Sequence, residues 1–377
     1  KYVRKYLQHS GQIISFRHAE AIIKDDSNAL LFTYSKATPV YGQLQQRIAS
    51  FYQGVESDQV YLHPTGMGSM HFAHQLTQAM NPGKATALFG FPYTDTKMLL
   101  QELGEGFEFF PIPNGEAMRQ LELLLKAKSI GAIVTEFPSN PLLTSVDLED
   151  LSQMARKHNV PLVVDDTLST PFNCKLTDAV DVIVTSLSKF TIGSADTLGG
   201  SLILPPESPH ASKLGELALR YYQDICFPAD LSRILERSVG YEKRVRVCGD
   251  NANELANFLS GHPAVDTINY PSLSPTREFY DEYRVAGGNY GGLLSFTVKG
   301  GKHPATTVFD NLQVTKAPGL GTDFTMACMY TRLAHFEEFE QVKQYGIDPY
   351  LIRVSVGMED LDHLRTVFET ALESAKP

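Results

Sequence analysis

A chain of 377 residues, 43% hydrophobic and 20% charged, is long enough to bury a large core and to fold as two or three domains. Its formal net charge of -10, with a pI near 5.6, argues against a nucleic-acid binder or a protein of anionic membrane surfaces. The longest apolar runs are strand-length and interrupted, so no membrane span is expected.

Residues 1–50 are mixed in character, with turn signals at Asp25-Asp26-Ser27 and Thr38-Pro39. From about residue 51 to 205, strand-like runs alternate with helical patterns. The predicted strands include Ala85–Phe89, 132–135, 162–164 and Val182–Thr185; the predicted helices include 70–80 and Leu148–His158. In the latter, Leu148, Leu151 and Ala155 share one face. Such alternation predicts an α/β domain with a mostly parallel sheet wrapped by helices. A long helical pattern follows over 229–260, with a weak point at Gly240. From residue 293 onward the pattern is that of a smaller α+β domain, closed by a helix over 361–374. The expected division is an N-terminal arm (1–50), a large domain (51–240) and a small C-terminal domain (241–377).

Cys174, Cys226, Cys248 and Cys328 are scattered, with no CxxC and no histidine at metal-ligand spacing. They read as reduced core thiols of a cytoplasmic protein, and no metal site is expected. The chain begins at Lys1, so the natural N-terminus, with any targeting peptide, is expected to be missing.

Two segments carry the chemistry. Val163-Val164-Asp165-Asp166-Thr167 and Val182-Ile183-Val184-Thr185-Ser186-Leu187-Ser188-Lys189 are short β-branched runs that end on polar groups. Buried parallel strands of this kind deliver side chains from their carboxyl ends. The first delivers a carboxylate, the second a lysine behind two hydroxyls. A lysine that must act as an amine at neutral pH needs its charge relieved. A Schiff base with an aldehyde cofactor does this, and pyridoxal 5′-phosphate (PLP) asks for a matching Asp at its ring nitrogen. The pair also has a plainer reading, as a strand-end Asp and a surface Lys.

Other segments fit the same cofactor. Thr65-Gly66-Met67-Gly68-Ser69 precedes a helix, whose exposed backbone N–H groups and positive dipole end suit a phosphate dianion. Ser186 and Ser188 can reach the same phosphate. Tyr93 follows a strand and can stack on a pyridine ring. Asn140, between Pro138-Ser139 and Pro141, can hydrogen-bond the cofactor's phenolate. Each also has a plainer reading, as a common glycine-rich helix start, a packed tyrosine or a turn asparagine. Arg353, in Leu351-Ile352-Arg353-Val354-Ser355-Val356, is flanked by apolar residues, and a buried arginine needs an anion.

Together these segments resemble the Cys/Met-metabolism group of PLP enzymes, the cystathionine γ-synthase family. The likeness runs from Tyr34 to about Thr370, through Glu136-Phe137-Pro138-Ser139-Asn140-Pro141-Leu142, Val164-Asp165-Asp166-Thr167, Ser186-Leu187-Ser188-Lys189, Gly199-Gly200 and Arg353 to Asp360. Tyr290-Gly291-Gly292-Leu293-Leu294-Ser295 and Gly319-Leu320-Gly321-Thr322 are most similar to the fungal-type branch. The resemblance implies the fold type I, aspartate aminotransferase-like architecture. It makes Lys189 the Schiff-base lysine and proton shuttle, with Asp165 on the pyridine nitrogen and Tyr93 on the ring. It gives phosphate to Gly66, Met67, Ser186 and Ser188, ring placement to Thr167 and Asn140, and the substrate α-carboxylate to Arg353. Tyr34 and Lys36, matching the family's Tyr-Ser-Arg motif, would enter the neighbouring subunit's site, which implies a homo-oligomer, a dimer of dimers.

Three departures touch the pocket walls. Lys36 offers a point charge where the family has an arginine fork. Ser194 stands at the family's common histidine position. Lys316-Ala317-Pro318-Gly319 lacks the usual Glu-Ser, leaving the Gly319 backbone as a carboxylate contact. The implied reaction is γ-replacement on an O-acyl-L-homoserine, with cysteine as the small nucleophile. A carbon acid such as a β-keto acid or ester is a competing nucleophile, as are sulfide and a lyase reaction without one. A PLP-free scaffold protein is the reading from a different class.

Overall fold

The computed structural model describes residues 2–24 and 38–375. Tyr34 and Lys36 lie outside the described residues. The chain divides into two compact units: Lys1–Phe137 with Val146–Thr167 and Lys175–Gly240, and Pro138–Ser145 with Leu168–Cys174 and Tyr241–Pro377.

The first unit begins with helices α1 (Tyr2–Ser10), α2 (Phe16–Ile23) and α3 (Pro39–Ala49). Strand β1 (Val60–His63) leads into α4 (Gly66–Met80). Then come β2 (Ala85–Phe89), α5 (Thr94–Leu103), β3 (Phe107–Phe110), α6 (Gly115–Lys126), β4 (Ile130–Glu136), α7 (Leu148–His158), β5 (Leu162–Asp165), β6 (Val182–Thr185), β7 (Gly200–Ile203), α8 (Ala211–Tyr221) and α9 (Pro228–Ser238). The seven strands form one sheet in the order β1-β7-β6-β5-β4-β2-β3. Strands β3, β2, β4, β5 and β6 are mutually parallel, and β7 runs against both β6 and β1. Strand β1 therefore points the same way as the parallel set, so six strands end at one edge.

Burial explains the sequence pattern. Every residue of β4 and β6 is buried, because helices cover both faces of a parallel sheet. Val134, Val163, Val182, Val184 and Leu202 pack there with Met70, Ala73 and Leu76 of α4. Local signals fix the helix ends. Asn114 caps α6 by accepting from the N–H groups of Glu116 and Ala117, and Asp147 caps α7 by accepting from Asp150 N–H. Asn159 ends α7 in the left-handed region at φ 54°.

The second unit holds α10 (Tyr241–Gly261), β8 (Val265–Asn269), α11 (Arg277–Tyr283), β9 (Leu293–Val298), α12 (Lys302–Asn311), β10 (Thr315–Lys316), β11 (Met326–Met329), α13 (Tyr330–Ala334), α14 (Phe339–Lys343), β12 (Ile352–Ser355) and α15 (Leu361–Glu373). Its sheet has the order β10-β11-β12-β9-β8, antiparallel except for β10 with β11. Leu255, Leu259, Leu294, Phe296, Ile352, Val354 and Phe368 form its core.

The expected weak point at Gly240 is a full break, and one helix starts earlier than its sequence pattern. The helical run over 229–260 is two helices, broken at Val239-Gly240, with Pro228 opening α9 at a first-turn position where its missing N–H costs nothing. Helix α4 starts at Gly66 rather than at residue 70. Thr65 caps it, its hydroxyl accepting from Gly68 N–H at 2.9 Å, so the glycine turn is itself the first helical turn.

Candidate active site

Within the first unit, the shared edge of the sheet gathers most of the expected residues. Strand β1 ends before Gly66, β2 before Tyr93, β5 on Asp165 and β6 before Lys189. Gly66 is needed for its lack of a side chain: a Cβ there would stand 2.6 Å from the Ser186 Cβ. The first turn of α4 is thereby pressed against the segment that follows β6.

Thr167 ties the strand ends together. Its N–H donates to Asp165 Oδ1 at 2.9 Å, and its hydroxyl accepts from Ser186 N–H at 2.8 Å. Burial pushes the Asp165 carboxyl above the ordinary carboxylate range, opposed by the Thr167 hydrogen bonds and by the charge of Lys189. A cationic group at Asp165 would relieve that burial cost.

Ser188 is placed differently from Ser186. Its hydroxyl donates to Gly199 C=O at 3.2 Å and accepts from Gly199 N–H at 3.0 Å. The Ser188 proton must leave Gly199 before it can serve a phosphate. Met67 is half-buried and packs its side chain against the core, so what it can offer an anion is its backbone N–H. Tyr93 is exposed at 44%, with its N–H donating to Glu136 Oε1 at 2.5 Å and its hydroxyl to Asp95 Oδ2 at 2.9 Å.

In the second unit, β12 carries Arg353, which is 4% exposed. Its Nη1 donates to Asn140 Oδ1 at 3.2 Å, and its Nη2 to the carbonyls of Pro318 and Gly319. Its guanidinium lies 4.8 Å from the centre of the Tyr330 ring. Asn140 precedes a cis peptide to Pro141, and the Ser295 hydroxyl donates to Pro141 C=O at 2.8 Å. Asn140, Gly319 and Arg353 are thus brought together, as the sequence suggests. These acceptors are neutral, so they orient the guanidinium without balancing its charge, which suits it to a carboxylate.

Buried carboxyls near these residues escape a reading by motif. Glu136 ends β4 and is 7% exposed; burial, and then the charge of Asp165, push it well above the usual carboxylate value. Asp166 is 2% exposed and accepts from Tyr52 Oη at 2.7 Å and from the Thr185 hydroxyl. Burial pushes it up to about 7. The signal available was the acid at the end of an all-apolar strand, which must find donors or keep its proton.

Comparison with known proteins agrees with this architecture. The sequence profile of the Cys/Met metabolism PLP-dependent enzymes matches residues 7–373, and the chain belongs to that family. It is 37% identical over 351 residues to a cystathionine gamma-synthase-like enzyme of Amanita muscaria, covering 85% of this chain and 56% of the relative. It is 34% identical over 329 residues to a cystathionine gamma-synthase of Neurospora crassa, covering 85% and 53%. The chain spans little more than half the length of these curated relatives. Among solved structures, the fold matches cystathionine gamma synthase from Xanthomonas oryzae pv. oryzae in complex with cystathionine, at TM-score 0.79 and 23% identity over 90% of this chain and 86% of that one.

The residues present fit PLP. A glycine cradle lies at a helix start, a burial-raised aspartate lies within the influence of a lysine charge, and these residues lie at or just past strands that end at one sheet edge. Among the described residues, no cluster of three or more His, Cys, Asp or Glu could hold a metal, and no helix is long and apolar enough to cross a membrane.

Proposed function

We propose that this chain catalyses PLP-dependent γ-substitution on an O-acyl-L-homoserine such as O-acetyl-L-homoserine, with the cysteine thiol as nucleophile. The observation that supports it most is the meeting of Gly66, Thr167, Asp165 and Ser186 at one sheet edge, with Lys189 near enough for its charge to act on Asp165.

When bound, PLP supplies an aldehyde for an amine and a ring that withdraws electrons. Lys189 Nζ would hold that aldehyde at rest, then move protons from the substrate Cα and Cβ. Asp165 would keep the ring nitrogen protonated, its burial-raised carboxyl finding there the cation it lacks. Gly66, Met67, Ser186 and Ser188 would bind the phosphate, Tyr93 would stack on the ring, and Thr167 and Asn140 would hold its position. Arg353, oriented by Asn140 and the Pro318 and Gly319 carbonyls, would take the substrate α-carboxylate in a bidentate pair. Loss of the Cβ proton expels the γ-acyloxy group as a carboxylate. The thiolate sulfur then forms its bond to Cγ, and returned protons complete cystathionine.

The N-terminal arm (1–50), with Tyr34 and Lys36, belongs to this proposal as a contribution to a neighbouring subunit's site in a dimer of dimers. So does the division at residue 240 into a large PLP domain and a small domain. A carbon acid is the second reading, favoured by the stretch Lys316-Ala317-Pro318-Gly319, where many members of the family have Glu-Ser and whose Pro318 and Gly319 carbonyls hold Arg353.

The test is to offer purified, PLP-loaded protein O-acetyl-L-homoserine with cysteine. Cystathionine supports the thiol reading. Inertness toward cysteine, with a carbon–carbon product from a β-keto ester, replaces it with the second. Keto acid and ammonia formed without any nucleophile would make the chain a lyase.

A further inference from the structure

Tyr93 is held at both ends, and the second hold reaches back to the first helix. Its N–H is fixed by Glu136 at 2.5 Å and its hydroxyl donates to Asp95 Oδ2 at 2.9 Å. The other oxygen, Oδ1, lies 3.1 Å from His9 Nδ1 and accepts from Gln8 Nε2 at 3.1 Å. Gln8 and His9 belong to α1, which packs on α4 and α5, and Lys5 of α1 pairs with Glu102 of α5 at 2.9 Å. His9 is buried, and the Asp95 side chain is only 15% exposed.

A carboxylate at the centre sets the polarity of this chain of contacts. An ionised carboxylate only accepts, so its three neighbours donate: Tyr93 through its hydroxyl, Gln8 through Nε2 and His9 through Nδ1–H. The Asp95 contact likewise fixes where the His9 ring carries its proton. The Tyr93 phenol then keeps its hydrogen on Asp95 and presents only lone pairs elsewhere. A carboxylate engaged on both oxygens, one half of it beside a buried imidazole, has little freedom to rotate.

We infer that His9 and Asp95 are positioning residues for Tyr93, fixing its ring at the sheet edge and its hydroxyl as a donor toward Asp95. This rests on the reading of Tyr93 as the residue that stacks on the cofactor ring. A shared edge needs that ring preset, since a stacking side chain left to swing loses affinity in being ordered at each binding event. The first helix thereby becomes part of the site's support.

The experiment labels the chain with 3-fluorotyrosine and follows the Tyr93 fluorine resonance, assigned through Tyr93→Phe, with and without PLP. PLP affinity of the apoprotein is measured alongside. His9→Ala should shift or broaden the Tyr93 signal and weaken PLP binding about threefold to tenfold, the scale of one lost hydrogen bond. His9→Asn places an amide donor where Nδ1–H stood and should restore both. The inference is overturned if His9→Ala lowers only thermal stability and leaves the Tyr93 signal and PLP affinity unchanged. It is equally overturned if His9→Asn is as impaired as His9→Ala. A wild-type chain that takes up no PLP contradicts the functional reading, while the fluorine signal of the two variants still decides the role of His9.

Discussion

Glu136 and Asp165 are register partners on the neighbouring parallel strands β4 and β5, so two carboxyls stand side by side at the site edge. Burial and the Asp165 charge raise the Glu136 value well above its ordinary 4.5. A raised acid gives stability that is complete below the ordinary value and is lost as pH climbs toward the folded one. Glu136→Gln keeps an oxygen for the Tyr93 N–H and removes that pH dependence. Urea unfolding at pH 5 and pH 8 should show the variant gaining on wild type at the higher pH, by about 1.4 kcal/mol for every tenfold by which folding tightens the hold of Glu136 on its proton. An unchanged difference between the two pH values would refute the assignment.

Tyr52 donates to buried Asp166 at 2.7 Å. The Asp166 carboxyl is raised from 3.8 to about 7, so its stabilising protonation persists in acid and is lost as pH rises through 7. Tyr52→Phe removes a donor that matters most to the ionised form. The variant should lose about 1–3 kcal/mol at pH 8 and less at pH 5. Equal losses at both values would mean the hydroxyl serves packing rather than the charge.

Gly66→Ala should leave the fold intact, since alanine favours the first turn of α4, yet drive that turn away from Ser186. PLP affinity is expected to fall about tenfold or more, that is about 1.4 kcal/mol. Wild-type affinity in this variant, measured by equilibrium titration, would remove Gly66 from the phosphate site.

Arg353→Lys keeps the charge and loses the fork. The amino-acid KM should rise about tenfold or more with kcat much less affected, because a bidentate ground-state contact is lost. A fall in kcat at constant KM would place Arg353 in the chemistry instead.

Much of the architecture was legible because it is written in local period. Ala85–Phe89 and Val182–Thr185 appear as apolar runs because both faces of the sheet are covered. Lys189, Asp165 and the Gly66 turn were legible because each lies at or just beyond a strand end. What escaped is long-range. His9 and Asp95 are 86 residues apart, and no spacing rule links them. The commitment of the Ser188 hydroxyl to Gly199 depends on how the turn after β6 closes, which sequence spacing does not encode. Asp166 looks like a second copy of Asp165, and only alternation along the strand end sends one to the site edge and the other to Tyr52 and Thr185.

The central claim is that Lys189 is the amine that carries the cofactor. Reducing the PLP-loaded protein with borohydride and mapping its peptides by mass tests this directly. The pyridoxyl-phosphate mass should fall on Lys189, and Lys189→Ala should neither acquire it nor turn over substrate. A label on another lysine, or full turnover in Lys189→Ala, would contradict the account.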